Sequence, residues 1–494
     1  MRTSNTRQSR NTRAFVISDM VWRWLLGAVV VTTAGTGCWT RGLPTTEPGG
    51  DGTGGEGAYG GSRPGTGGAA GARGSGGSVG SGGVFGSGGN GGQVASVPNK
   101  LDLLLMIDDS QSMAPLQAKL AQQLPNLLNG MRDPTTGQYP DLHVGVVSSS
   151  MGGGAWGNVN QCVAGYHPGD DGGKLQQGPG GAGSGTCSML HMGAKFLANG
   201  DGSASSAPNF DGDIGTAVQC MTALGDGGCG FEMPLKSVMY ALNKARDPLD
   251  PDNGGFLRPE ARLAVILLTN EDDCSLADSS LLLDPAINSA TDQTGLGALQ
   301  SYRCNEFGHL CGGAPPPHGY DFATSTFNLA TGTYRTAAGP GTGGVVLNDC
   351  VSADENGKTD PLLRDPMGTP DPTMGHLFPT ISQFVGYLRS LKANPADVFV
   401  SAIAGPTTAA DGTSLYRVFA QVNPAANSEL DPVVDHSCVQ TDANGQVEYA
   451  DPAVRIHQVV DAFGANGTFY PICASDYSAA TQSIASSIHT LIAR

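Results

Sequence analysis

Four short runs of apolar residues constrain the fold of this chain more than any other feature of its sequence. Each run is bounded by polar residues and is shorter than a typical buried helix. Runs of this kind are typical of strands that are buried on both faces of a parallel sheet. The runs cover 101–107, 142–147, 261–269 and 398–404.

Helical patterns separate and follow these runs. Apolar residues recur at helical spacing in the segments 114–131, 231–245, 381–391, 457–463 and 475–492. Pro125 lies inside the first segment and predicts a kink or an interruption there. A weak edge strand is expected at 467–472. Strands that alternate with helices predict an α/β domain, in which helices flank a parallel sheet on both faces.

The predicted domain spans 98–494, and two long segments interrupt its alternating pattern. Residues 151–213 and 276–378 are rich in glycine or proline and show no regular apolar period. Segments of this kind predict loop insertions between the core elements.

The N-terminus has the pattern of an export signal. Five arginines precede the apolar run 24–31, and the small residues 32–37 lead to Cys38. A basic region, a short apolar region and a zone of small residues predict a signal peptide over 1–37. The apolar run is too short to span a bilayer comfortably.

A cysteine that directly follows small residues resembles the lipobox of bacterial lipoproteins. Gly37 matches the small residue before the cysteine, whereas Gly35 stands where that family usually has leucine. The resemblance implies that Cys38 is diacylated and anchors the protein in the bacterial cell envelope, in the outer membrane or at the cell surface. Ordinary secretion with cleavage near Cys38, or an uncleaved anchor, are the alternatives.

Residues 38–97 have the composition of a linker. Of the 74 glycines in the chain, 24 lie between Arg41 and Pro98, and this stretch has no hydrophobic period and almost no charge. Such a segment cannot bury enough apolar surface to offset its ordering entropy. The composition therefore predicts a disordered linker between the anchor and the domain.

The charge balance excludes one class of partner and favours another. The formal net charge is −17 at pH 7. Nucleic acids are not expected as partners, because phosphate binding depends on lysine and arginine. An acidic surface is compatible with hard cations such as Mg²⁺, Mn²⁺ and Ca²⁺.

Ten of the eleven cysteines lie in the predicted domain, and no metal-like CxxC spacing occurs among them. In an exported chain this pattern predicts a disulfide framework, with buried free thiols as the alternative. Proximity in the sequence favours Cys162–Cys187, Cys220–Cys229 and Cys438–Cys473, and it favours a bond from Cys274 to Cys304, Cys311 or Cys350, which would brace the long insertion.

The most informative polar residues follow the first apolar run. Asp108, Ser110 and Ser112 form an Asp-x-Ser-x-Ser pattern on the turn that leaves the strand and enters a helix. Ligands of parallel sheets bind beyond the carboxyl ends of the strands. Carboxylate and hydroxyl oxygens are ligands that hard divalent cations prefer. The alternative is that these side chains only cap the following helix.

This pattern and its position resemble the von Willebrand factor type A domain with its metal-ion-dependent adhesion site. The resemblance implies that Asp108, Ser110 and Ser112 hold a divalent cation. Asn270 stands where that family has an aspartate; its amide oxygen can still bind the ion, but one negative charge is lost, which Glu271, Asp272 or Asp273 would supply instead. No threonine matches the family's second loop, where Glu232 is the obvious oxygen ligand and Thr222 lies rather far upstream.

The resulting expectation is a tethered, non-enzymatic binding or adhesion module that recognises a protein or glycan partner. A cation in the site would bridge to an acidic group of that partner. No nucleophile frame, phosphate-binding loop or dinucleotide fingerprint occurs in the sequence. The alternatives are a secreted hydrolase that uses Glu271, Asp272 or Asp273 for acid–base chemistry, and a structural envelope protein without a specific ligand.

Overall fold

The computed structural model describes residues 99–154, 159, 171–180, 186–200, 206–277, 280–286, 299–317, 345–353, 377–423, 429–442 and 445–494. The predicted signal peptide, the lipid anchor at Cys38 and the linker 38–97 lie outside these residues. In the part of the chain that is described, no helix is both long enough and apolar enough to cross a membrane.

Thirteen strands occur in the described residues. They are β1 (Lys100–Ile107), β2 (Asp141–Ser148), β3 (Leu197–Ala198), β4 (Arg262–Leu268), β5 (His309–Cys311), β6 (Val345–Val346), β7 (Cys350–Ser352), β8 (Val398–Ala404), β9 (Arg417–Asn423), β10 (Glu429–Val434), β11 (Cys438–Thr441), β12 (Val447–Ala450) and β13 (Gly467–Pro471).

Seven α-helices occur in the same residues. They are α1 (Ala114–Asn129), α2 (Ile214–Met221), α3 (Pro234–Ala245), α4 (Tyr302–Gly308), α5 (Ile381–Ser390), α6 (Val454–Ala462) and α7 (Ser478–Ile492).

The main sheet has six strands in the order β13-β8-β4-β1-β2-β3. All neighbouring pairs are parallel except β2 and β3, which pair antiparallel through only two residues of each strand. The four apolar runs form β1, β2, β4 and β8, and the weak pattern at 467–472 forms the edge strand β13. The predicted α/β fold is therefore confirmed.

Helices cover both faces of this sheet. Alternate residues of β1 point to opposite sides: Leu103 and Leu105 pack with α1, α2 and α7, whereas Leu104 and Met106 pack with α3, α5 and α6. Because both faces of the central strands are buried, their sequences are largely apolar, although β1 also contains the buried Asp102. The carboxyl ends of β1, β4 and β8 consequently meet at one edge, where the turns that follow them are polar.

Helix α1 continues through Pro125, so the predicted interruption does not occur. A proline inside a helix leaves the carbonyl four residues earlier without its backbone donor. In this helix that carbonyl belongs to Ala121, and the Gln219 side chain of α2 donates a hydrogen bond to it at 2.7 Å. The neighbouring helix thus replaces the bond that the proline removes.

The insertions contain more regular structure than their composition predicts. Helix α2 follows the first insertion directly, and α4 lies with β5, β6 and β7 inside the second. Three small antiparallel sheets, β10-β9-β6, β11-β12 and β5-β7, surround the main sheet. The hairpin β11–β12 follows β10 and precedes α6, so it lies in a part of the chain where no strand was predicted.

Four disulfides join described cysteines: Cys187–Cys220, Cys274–Cys304, Cys311–Cys350 and Cys438–Cys473. The disulfide framework, the bond of Cys274 to Cys304 and the pair Cys438–Cys473 are confirmed. The predicted pairs Cys162–Cys187 and Cys220–Cys229 are wrong, because α2 brings Cys220 to a Cα–Cα distance of 6.0 Å from Cys187. Cys229 is disulfide-bonded as well, and Cys162 lies outside the described residues.

Candidate functional site

Asp108 begins the turn at the carboxyl end of β1, and its carboxylate is buried. Its Oδ1 accepts hydrogen bonds from the Ser110 backbone N–H at 2.8 Å and the Ser149 hydroxyl at 3.2 Å. Its Oδ2 accepts one from the Thr269 hydroxyl at 2.7 Å. Burial raises the pKa of Asp108, and these three hydrogen bonds act in the opposite direction. Three strands, β1, β2 and β4, therefore hold one carboxylate at the edge of the sheet.

The hydroxyl of Ser110 lies in this turn beside the Asp108 carboxylate and acts to lower the pKa of that group. The residue is 4 % exposed, and its Oγ makes no hydrogen bond of normal geometry with the described residues. A buried hydroxyl in that state costs about 1–3 kcal/mol. A water molecule or a cation can complete an oxygen of this kind.

Asn270 follows β4 and is 1 % exposed. Its side-chain N–H₂ donates to the Ser112 hydroxyl at 2.8 Å and to the Tyr449 carbonyl oxygen at 3.1 Å. The carbonyl can only accept, so it fixes the orientation of the amide. The other end of the amide, Oδ1, has no hydrogen-bond partner in the described part of the chain. The structure thus brings Asn270 and Ser112 together, as their positions after β4 and β1 predict.

None of these side chains caps α1. The helix begins after Met113, and no side chain accepts a hydrogen bond at that N-terminus. Asp108 is bonded to the backbone of its own turn and to hydroxyls of two other loops. The helix-capping alternative for Asp108, Ser110 and Ser112 is therefore wrong, because no side chain accepts a hydrogen bond at the start of α1.

A second buried carboxylate lies beside the first. Asp109 accepts a hydrogen bond from the Ser150 hydroxyl at 3.0 Å. Burial, with the negative charges of Asp171 and Asp108, raises the pKa of Asp109 to about 8. Asp171 in turn accepts a hydrogen bond from the Ser148 hydroxyl. Three consecutive serines, Ser148 to Ser150, thus donate hydrogen bonds to these buried carboxylates. The sequence analysis predicted none of them.

Backbone groups occupy the second loop, where a threonine was sought. The Gly228 N–H donates to the Asp109 carbonyl at 2.6 Å, and the Cys229 N–H donates to the Ser150 hydroxyl at 2.9 Å. A Cβ at position 228 would lie 2.4 Å from Asp109 Oδ1, so only glycine fits. Thr222 lies at the end of α2, where its hydroxyl donates to carbonyls of its own helix.

Glu232 and Glu271 form a side-chain hydrogen bond with each other. Removal from water, with the charges of Asp451 and Asp108, raises the pKa of Glu271 to about 8, while the bond to Glu232 acts to lower it. Both residues line a cavity of about 10 Å³, together with Asp451, His309 and the Cys274–Cys304 disulfide. That volume is about the space of one water molecule.

Asp272 holds the start of α6. Its carboxylate accepts hydrogen bonds from the Arg455 backbone N–H at 3.0 Å and from the ring of His309 at 2.8 Å. The N-terminus of a helix stabilises a negative charge in this position. Both oxygens of Asp272 therefore have partners that belong to the fold.

Asp273 holds the start of α3 in a similar way. It accepts from the Leu235 backbone N–H at 3.0 Å and from the Arg455 guanidinium at 3.0 Å. Arg455 and Asp273 are both buried, so this ion pair joins α6 to α3 inside the protein. Burial raises the pKa of Asp273, and the charge of Arg455 opposes that shift.

Carboxylates alone do not form a metal centre in the described part of the chain, where no three His, Cys, Asp or Glu side chains are grouped to hold an ion. The candidate oxygens are of mixed type instead: the carboxylate of Asp108, the hydroxyls of Ser110 and Ser112, and the amide oxygen of Asn270. Comparison with known proteins adds no assignment, because no protein-family model and no curated protein matches this chain.

Proposed function

We propose that this chain is a tethered binding module with a von Willebrand type A fold, which recognises a protein or glycan partner through a divalent cation. The observation that carries the proposal is Asn270 Oδ1, a buried oxygen without a hydrogen-bond partner in the described residues; Ser110 Oγ, also buried, makes no hydrogen bond of normal geometry there. Ser110 belongs to the Asp-x-Ser-x-Ser pattern after β1, and Asn270 follows β4. Both residues are expected cation ligands.

The donor set fits a hard cation. Asp108, Ser110, Ser112 and Asn270 offer only oxygen, which Mg²⁺, Mn²⁺ and Ca²⁺ prefer. The set contains a single carboxylate, so a bound divalent ion would keep positive charge and attract an acidic group of the partner. The mostly parallel six-stranded sheet, with this set at the carboxyl end of a central strand, supports the proposed fold type.

Two predicted ligands have a different role in this proposal. Asp272 stabilises the N-terminus of α6 and His309 instead of the ion, because both of its oxygens are engaged there. Glu232 pairs with Glu271 and lies near the ion without binding it directly. A hydrolase is not favoured, because the cavity beside these acids has room for about one water molecule and none for a substrate.

The position of the site suits a module that is tethered from its N-terminal side. The chain enters β1 at Lys100 and reaches Asp108 at the far end of that strand. Eight residues of strand span roughly 26 Å. We propose that Cys38 carries the lipid anchor in the envelope, at the outer membrane or cell surface, so that the predicted linker approaches the edge of the sheet opposite to the site.

The test is calorimetric titration of the full chain with Mg²⁺, Mn²⁺ and Ca²⁺, followed by capture of partners from envelope and extracellular material with and without EDTA. We expect one cation per chain, lost in Asp108→Ala and retained in the control Asp461→Ala, whose side chain is exposed on α6. Equal binding by both variants would contradict the proposed site. Capture that EDTA does not change would leave a binding module without a metal bridge.

A further inference from the structure

Asn270 joins the candidate ion site to the hairpin β11–β12 by two hydrogen bonds. Its side-chain amide donates to the Tyr449 carbonyl at 3.1 Å, and its own backbone carbonyl accepts from the Asp451 N–H at 2.8 Å. Tyr449 lies in β12, and Asp451 follows it directly. One residue of the site therefore holds the outgoing strand of the hairpin from both its backbone and its side chain.

Other contacts fix the same hairpin to the same edge of the sheet. The Cys438–Cys473 disulfide ties its first strand to the residues after β13. Glu448 forms an ion pair with Lys119 of α1, and the same lysine donates to the Ala474 carbonyl at 2.8 Å. The hairpin is thus a braced element beside the site.

The side-chain bond to Tyr449 explains why residue 270 is an asparagine. An aspartate has no donor, so its carboxylate would face the Tyr449 carbonyl with oxygen against oxygen. The amide offers a donor to the hairpin and leaves Oδ1 free for a cation. A cation on Oδ1 polarises the amide and strengthens the N–H···O bond on its other side.

We propose that Asn270 is a positioning residue that couples the cation to the hairpin β11–β12, an inference that rests on the proposed cation site. Cation binding fastens the hairpin, and a partner that contacts the hairpin strengthens cation binding by the same factor. Contacts made by the hairpin β11–β12 then change how tightly the site binds its cation and, through the cation, its partner.

The test is hydrogen–deuterium exchange of the full chain, followed in peptides that cover 445–451, with and without saturating Mn²⁺. In the wild type we expect Mn²⁺ to slow exchange of the Asp451 amide by about fivefold or more. The decisive variant is Asn270→Asp, which should loosen the hairpin and at the same time bind Mn²⁺ more tightly. Its hairpin exchanges about fivefold faster without the ion, whereas the added charge makes Mn²⁺ binding about fivefold tighter.

A matched control exists at the other edge of the sheet. The Asn466 side chain donates to the carbonyls of Ala396 and Val398 at 2.8 and 3.1 Å, whereas that of Asn270 donates to one hydroxyl and one carbonyl. Asn466→Asp should change neither the exchange of 445–451 nor Mn²⁺ binding. If Asn270→Asp does not fold, the double variant Cys438→Ser/Cys473→Ser loosens the hairpin from its other strand and should weaken Mn²⁺ binding.

The outcomes separate the two proposals. A wild-type chain that binds Mn²⁺ with no change in hairpin exchange overturns the coupling and leaves the cation site standing. The coupling is likewise overturned if Asn270→Asp tightens Mn²⁺ binding while the hairpin exchanges as in the wild type. A wild-type chain that binds no cation overturns the proposed function, and the coupling with it.

Discussion

Ser110 should show effects of opposite sign with and without a cation. In the metal-free protein its hydroxyl is buried and makes no hydrogen bond of normal geometry with the described residues. Replacement by alanine removes a polar group that costs free energy when it is unsatisfied. We therefore expect Ser110→Ala to raise the free energy of unfolding by about 1 kcal/mol without metal.

With a bound cation, the wild type should be more stable than Ser110→Ala. A metal at one hundred times its Kd stabilises the wild type by about 2.7 kcal/mol. If the lost hydroxyl weakens binding about tenfold, the same metal concentration stabilises the variant by only about 1.4 kcal/mol. The difference of about 1.3 kcal/mol offsets the gain of the metal-free variant.

The assay is urea unfolding in EDTA and in Mn²⁺, with Ser149→Ala as the matched control. The Ser149 hydroxyl donates to Asp108 at 3.2 Å, so its loss should destabilise the metal-free protein by about 1 kcal/mol. If Ser110→Ala destabilises the metal-free protein as Ser149→Ala does, the Ser110 hydroxyl is satisfied. The proposed cation site then loses its main support.

Three further predictions concern the surroundings of the site. Asp273→Ala leaves the Arg455 charge buried without its carboxylate and should cost about 3–5 kcal/mol in urea unfolding, whereas the exposed control Asp461→Ala should change little; equal effects would contradict this role. Because the pKa of Glu271 is raised to about 8, the folded chain keeps a proton there that the unfolded chain loses. The metal-free protein should therefore lose stability as the pH rises from about 5 to about 8, and a gain over that range would refute it. Peptide mapping without reduction should recover Cys187 linked to Cys220, and a Cys220–Cys229 peptide would show that the pairing is different.

Long apolar segments were predictable from the sequence because burial on both faces leaves a continuous pattern. This holds for β1, β2, β4 and β8 and for the helices that cover them. Short elements left no such pattern: β3 has two residues, and α2 has eight. The helix through Pro125 depends on a hydrogen bond from Gln219, and no local rule reveals a partner that distant.

Some residues of the candidate site were likewise predictable from the sequence, and others were not. The pattern at 108–112 and the position of Asn270 were readable, because both follow predicted strands. Thr269 and Ser149, which orient Asp108, were missed because a hydroxyl at the end of a strand is common and gives no signal alone. The partner of Asn270 is a backbone carbonyl of Tyr449, and backbone groups leave no trace in a sequence.

The acidic run 271–273 shows how a local pattern misleads. Three neighbouring acids suggested a source of charge for the ion, yet the three side chains have different partners. Glu271 pairs with Glu232, Asp272 meets the start of α6, and Asp273 binds Arg455. Their separation follows from the turn after β4, in which successive side chains bind different groups.

The proposed cation site is tested most sharply by the anomalous scattering of Mn²⁺ in crystals of the chain. We expect one strong peak within about 2.6 Å of the Asp108 or Ser112 side-chain oxygens, Ser110 Oγ and Asn270 Oδ1. A peak between Glu232, Glu271 and Asp451, with none at the first position, would contradict the proposed site.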